Sequence, residues 1–324
     1  MLIDTAGLTS LALDPLERGL AMATAAPLQT AAAHQGVLAR HPLLFYFIFA
    51  FAGSWLVWLP LALSEDGSGL LPFSSPLLLA YFGYAAFLGP FLSGFVMTGA
   101  TEGRAGIGRL LRRFVLWRVG LGWYLFVLLG APSILALSAV LLPGALGSFA
   151  GLAPLVPLPL LILFVFVFFL GGPLAEEPGW RGFALPRLRR LYGPLVGSLI
   201  LAPLWALWHL PLFFVPAWET PPTILNFILY LTAVTVMTIV FTWVFNNTKG
   251  SLLISILLHA AVNTSYATLI VLFPTPLVTD YGSMLPMVIG FGAVALVVIA
   301  LTRGRLGYQH YRQEVEPESA AAPT

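Results

Sequence analysis

The chain predicts an all-α fold: a polytopic membrane bundle of about eight transmembrane helices with both termini cytoplasmic. Three observations carry that prediction. Of the 324 residues, 59% are hydrophobic and 9% charged, against a charged share of about 25% in ordinary soluble domains. The mean hydropathy is +0.93. The apolar residues also gather into runs of about twenty, the length that crosses a ~30 Å hydrocarbon layer at ~1.5 Å rise per residue. The alternating ten-residue pattern of a membrane β-barrel is not seen.

The runs lie near 42–63, 76–99, 121–143, 154–172, 194–215, 223–245, 251–273 and 283–302. They define a membrane domain over 41–304, with a catalytic core expected at about 154–273. The Ala/Thr-rich residues 1–40 and the polar residues 305–324 read as disordered tails. Charge sets the orientation. Loop 64–75 carries Glu65 and Asp66, loop 216–222 carries Glu219 and loop 274–282 carries Asp280, and none of them holds a Lys or Arg. In the eight-span arrangement all fifteen basic residues, from Arg18 and Arg40 through Arg113, Arg190 and Lys249 to Arg312, fall on the other face. By the positive-inside rule that face is cytoplasmic, so the expected location is a bacterial cytoplasmic membrane.

The net charge of +2 therefore reflects topology. No basic stripe with interleaved stacking aromatics is present, and nucleic acid is not an expected partner. The absence of cysteine excludes disulfides, thiolate catalysis and Cys-ligated zinc. Residues 1–40 lack a charged segment leading into an apolar core, so no cleavable signal peptide is expected.

Polar groups inside such runs are costly, roughly 2.5–3.5 kcal/mol for a charge at the helix centre even on gentle scales, and so point to function. After the fourth run come Glu176, Glu177 and Arg181. Glu177 and Arg181 have the four-residue spacing and acid-first order of a helical ion pair, while Glu176 points about 100° away around the axis. Both acids could also be ordinary helix-end charges near headgroups. The fifth run holds His209 one turn after Trp205, just before a helix-bending Pro211. The seventh places His259 and Asn263 on one face; helix-to-helix hydrogen bonding is their alternative role.

Brought to one cavity, Glu176, His209, His259 and Asn263 supply what peptide hydrolysis needs: a carboxylate to take a proton from water, and donors for the oxyanion. Other intramembrane protease chemistries fit badly. The helical runs contain no Asp for a two-aspartate site and no His-Glu-x-x-His zinc helix. Ser198 after Gly197 is better read as helix packing than as a nucleophile.

Three spaced motifs, Glu176-Glu177 to Arg181, Trp205 to His209 and His259 to Asn263, resemble the CPBP (CAAX protease and bacteriocin-processing, or Abi) family of intramembrane proteases, which includes the type II CAAX prenyl endopeptidases. The second motif usually begins with Phe, so Trp205 is a departure that keeps an aromatic ring. Leu88-Gly-Pro90, the Arg-rich stretch Gly103–Arg113, Trp117-Arg118 and Trp123-Tyr124 add to the likeness, which covers about residues 42–303. The resemblance implies an eight-helix protease with Glu176, His209 and His259 as catalytic groups. Asn263 joins His259 in the preferred oxyanion site, and Glu177, Arg181 and Trp205 give structural support. It also implies a membrane-associated protein or peptide substrate, possibly lipidated, met within membrane lipid.

Family members are commonly labelled metalloproteases, although a metal-free glutamate mechanism is also proposed for the family. A zinc site would use Glu176, His209 and His259, leaving a position for water. The metal-free alternative is preferred here because no further acid lies near either histidine in sequence to orient it as a ligand. Two other function classes compete. A non-catalytic scaffold or bacteriocin-immunity protein would keep the fold, and a proton-coupled transporter would use the same residues as a relay. The transporter lacks support from any duplicated pair of broken helices.

Overall fold

A computed structural model of the protein describes residues 36–74, 82–152, 155–218, 221–274 and 284–315. All regular structure among them is helical, as composition requires of a chain that must satisfy its backbone hydrogen bonds within lipid. Residues 36–41 form a separate short unit containing one helical turn, Val37–Arg40. The main unit begins at Pro42. Its helices are α1 (Pro42–Leu63), α2 (Leu92–Phe114), α3 (Leu121–Val140, with a π-turn at Phe126–Gly130), α4 (Pro157–Leu170), α5 (Pro173–Gly179), α6 (Leu185–Tyr192), α7 (Pro194–Trp208), α8 (Ile224–Asn247), α9 (Leu252–Leu272), α10 (Leu285–Thr302) and α11 (Tyr308–Val315).

Seven segments among the described residues are long and apolar enough to cross a bilayer, and each overlaps one expected run. The fourth of them runs on through α5 and α6 to Tyr192. The remaining run, 76–99, falls partly on residues 75–81, outside the described residues. From Phe82 onward it is helical, with a π-turn at Phe87–Phe91 before α2.

Proline and glycine punctuate these helices where the site is built. α4 ends at Gly171-Gly172, and Gly172 takes φ +100, a left-handed conformation open to glycine at little cost. Pro173 then starts α5 at the position where its missing N–H is harmless. Pro178 interrupts the hydrogen-bond ladder, and the chain passes through a π-turn, Trp180–Ala184, before α6. α5 is pressed against the start of α2 at backbone contact: a Cβ on Gly94 would lie 3.1 Å from the Cα of Gly179. Further along, α7 stops at Trp208, and the chain continues as the 3-10 segment Leu210–Phe214, in which Pro211 fixes the bend.

The two ends of the bundle differ in chemistry. At the basic end, Arg113 donates to the Gly182 carbonyl and to the Tyr311 hydroxyl, each at 3.4 Å, and Ser251 Oγ donates to the Leu116 carbonyl at 2.7 Å. Arg189, buried, donates to Asn246 Oδ1, and Asn246 Nδ2 donates to the Leu306 carbonyl at 2.8 Å. At the other end Val215 is buried with Leu61 and Ala62, and Ala150 N–H donates to Leu272 O at 2.9 Å.

The expected disorder of 305–324 is corrected over its first part. Residues 308–315 form α11, and Leu306 and Tyr311 are buried. Tyr311 and Tyr308 stack on the Arg189 guanidinium at 3.8 and 4.7 Å. Aromatic faces that shelter a buried cation give this polar stretch a docking site that composition does not reveal. Residues 1–35 and 316–324 of the two expected tails lie outside the described residues.

Candidate active site

Glu176, His209, His259 and Asn263 line one cavity of about 550 Å³. Three helical segments separated along the chain deliver them: α5, the end of α7, and α9. The rest of the wall is largely apolar, with Trp58, Leu212, Met237 and Met287 among its residues. Polar groups converging in an apolar cleft are the usual make-up of a binding or catalytic site.

Glu176 and Glu177 face different partners, as their 100° separation on a helix requires. Glu176 Oε2 accepts hydrogen bonds from two indoles, Trp205 Nε1 at 2.6 Å and Trp180 Nε1 at 3.3 Å. Its other oxygen, Oε1, lies against Gly172, where a Cβ would collide with it. Glu177 is fully buried and holds two partners through one oxygen: Arg181 Nη1 at 3.0 Å and His259 Nδ1 at 2.8 Å.

Arg181 is itself fully buried, and its Nε and Nη2 lack hydrogen-bond acceptors. Its guanidinium instead lies over the rings of Trp205 at 4.0 Å and Phe241 at 4.7 Å. Two aromatic faces replace part of the lost hydration, each contributing on the order of 0.5–2 kcal/mol. Trp205 thus touches Arg181 with its face and Glu176 with its N–H. It also meets the His259 ring edge-on at 5.5 Å.

Both histidines are fixed through Nδ1. His209 donates from Nδ1 to the Trp205 carbonyl one turn back at 3.0 Å, and its ring sits among Trp58, Trp208 and Tyr230. Because a carbonyl can only accept, Nδ1 carries the hydrogen and Nε2 carries the lone pair in the neutral ring. His259 is held through Nδ1 by Glu177, so Nε2 is again the nitrogen left for chemistry. Asn263 Nδ2 donates to the Gly171 carbonyl at 3.3 Å, tying α9 to the glycine joint that precedes Glu176.

Residues 158–265 match the family described as type II CAAX prenyl endopeptidase Rce1-like. That stretch carries the chain's likeness to the CPBP, or CAAX-protease, family. The matched stretch contains all three motifs, with Glu176, His209, His259 and Asn263 among its residues. The chain is also similar to "CAAX prenyl protease 2" of Methanococcus maripaludis, at 28% identity over 143 residues. That match covers 41% of this chain and 48% of the relative, about half of its length.

Within this matched stretch two expectations change. Glu177 does more than hold Arg181, since it is also the carboxylate partner of His259. The absence of a nearby acid in sequence is therefore no argument against an oriented histidine: α9 packs against α5 and brings the acid across 82 residues. Trp205 does more than keep a ring in place, because its N–H bonds the Glu176 carboxylate. Trp180, the second indole on Glu176, is missing from the motifs altogether. Its signal is the four-residue spacing from Glu176, the same rule that pairs Glu177 with Arg181.

The metal question turns on the donors themselves. Among the described residues no three His, Asp or Glu side chains gather into a group that could hold a metal ion. Oε2 of Glu176 and Nδ1 of both histidines are already engaged. Those bonds leave Glu176 Oε1 and Nε2 of both histidines as the donors a zinc ion would use, and they orient the rings as a ligand's second contact does.

Proposed function

We propose that the protein is an intramembrane endopeptidase that hydrolyses a peptide bond of a membrane-associated protein or peptide, with Glu176 as general base. The observation that carries this reading is the meeting of Glu176, His209, His259 and Asn263 on the wall of one largely apolar cavity. The matched stretch and the similarity to a CAAX prenyl protease support it.

In this mechanism a water lies between Glu176 Oε1 and His209 Nε2. Glu176 takes one proton as the water oxygen bonds to the scissile carbonyl carbon, and the carbonyl oxygen becomes an oxyanion. His259 and the amide of Asn263 donate hydrogen bonds to that oxyanion. The proton on Glu176 passes to the leaving nitrogen, the C–N bond breaks, and a carboxylic acid and an amine leave the site.

Charge supports the donor role of His259. With Nδ1 donating to Glu177, donation from His259 Nε2 requires the imidazolium form. Two carboxylates, one guanidinium and one imidazolium then sum to zero: −2 from Glu176 and Glu177, +2 from Arg181 and His259. A neutral imidazole would leave a net negative charge in a low-dielectric site, and a balanced buried cluster costs less. The transporter alternative gains no comparable support from this arrangement.

The direct test uses purified protein in micelles and a quenched-fluorescent farnesylated peptide carrying a CAAX end. Wild type cuts it and Glu176→Gln does not, since the amide keeps the shape but cannot take the proton. The same assay addresses metal. Activity survives chelation and elemental analysis finds zinc well below one per chain. Stoichiometric zinc, with activity lost on chelation and restored by zinc, would overturn the metal-free mechanism.

A further inference from the structure

We infer that Trp205 and Trp180 are positioning residues that select the working oxygen of Glu176. This inference rests on the reading of Glu176 as general base and adds how that base is aimed. Both indole N–H groups end on Oε2, at 2.6 and 3.3 Å. A carboxylate held by two donors on one oxygen cannot rotate freely about its last bond, so the other oxygen has a set direction. That oxygen, Oε1, lies over Gly172, which with Gly171 forms part of the cavity wall. The missing side chain of Gly172 leaves the room that Oε1 occupies.

The donors are themselves immobile. Trp180 is completely buried, with Tyr46 edge-on at 5.6 Å, Trp208 edge-on at 5.6 Å and Phe47 stacked at 6.3 Å. Trp205 is clamped between the Arg181 guanidinium on its face and the helix that carries Glu176 on its edge. Indole is suited to this task because it donates one hydrogen bond and accepts none. It therefore cannot compete with Oε1 for the water proton.

A Phe at position 205 would supply the ring for Arg181 and His259 and no donor for Glu176. A base aimed by indoles is thus a property of this chain's own residues. The arrangement also satisfies Oε2 without water, which apolar surroundings do not provide.

The pair is tested first without reference to activity. In full-length protein labelled with 15N-tryptophan in micelles, Trp180→Phe and Trp205→Phe identify two of the nine indole N–H resonances. Both move upfield in Glu176→Ala, while that of Trp117, exposed and near the basic end, stays in place. Unmoved resonances for 180 and 205 would show that the indoles do not hold the carboxylate, and would overturn the inference.

Turnover is then measured on the membrane peptides whose cleavage separates wild type from Glu176→Gln. Trp205→Phe keeps the ring and removes the N–H, so kcat falls roughly ten- to a hundredfold, within the ~10²-fold that a 1 Å misplacement can cost. KM and the melting temperature stay near wild type. Wild-type kcat in both Trp205→Phe and Trp180→Phe would overturn the positioning role even with the bonds present. If Glu176→Gln changes no peptide, the protease reading falls, and the indole resonances still decide whether the pair holds the carboxylate.

Discussion

Glu177 shows how much a single side chain must do in a medium without water. It neutralises Arg181 and orients His259 through one oxygen, and its Oε2 has no hydrogen-bond partner. Glu177→Gln leaves Arg181 as an uncompensated buried cation, a change that costs about 3–5 kcal/mol in comparable pairs. Arg181→Ala leaves the buried cluster one positive charge short and costs a similar amount. The double variant is less destabilised than the sum of the two, because the second change removes a charge the first has stranded. Thermal melts in detergent check this, and strict additivity would show that the pair is not coupled. Turnover also falls in Glu177→Gln, through His259. The Glu177–Arg181 pair was legible from spacing alone. The His259 bond was not, because it depends on how α9 packs against α5.

Elements separate into those whose boundaries hydropathy reveals and those it hides. α1 begins and ends where the first apolar run does, and α9 differs from its run by one residue at each end, since lipid exposure rewards continuous apolar sequence. The breaks were legible too: Pro178 and Pro211 mark where the fourth and fifth spans leave regular α geometry. α11 was hidden. Its eight residues, Tyr308–Val315, are too polar and too short to signal a packed helix. Its anchor is Tyr311, 1% exposed, against Arg189 and Arg113. α6 follows α5 through the π-turn, so α11 buttresses the basic end of the segment that bears Glu176. Tyr311→Ala removes the aromatic face over a buried guanidinium and lowers stability by about 3–5 kcal/mol, as other large buried aromatics do. A melting temperature within one degree of wild type would show that α11 does not brace this end.

At the scale of the whole molecule, composition carried the fold class and charge carried the expected orientation. The structure gathers Arg113, Arg189, Asn246 and Leu306 at one end of the bundle, where hydrogen bonds tie α2 to α11 and α6 through α8 to the residues just before α11. Glu65 lies beyond the other end of α1 and is exposed. The chain has no cysteine, so single cysteines report sidedness without background. In intact cells an impermeant thiol reagent labels Glu65→Cys and labels Arg190→Cys only after lysis. Labelling of position 190 in intact cells would reverse the orientation. The meeting of three separated motifs in one cavity was foreseeable from their cost in lipid. The 550 Å³ volume of that cavity was not, because it depends on side chains such as Met237 and Met287 that no motif marks.

The central claim is that Glu176 performs a reaction. It is tested most directly by comparing membrane-peptide cleavage products, proteome-wide, between cells carrying wild type and cells carrying Glu176→Gln at equal protein level. The account predicts a defined set of products, cut within or beside membrane segments, that is present with wild type and absent with the Gln variant. Identical product sets, with the Gln variant folded and inserted, would contradict it and leave the chain a non-catalytic bearer of this fold.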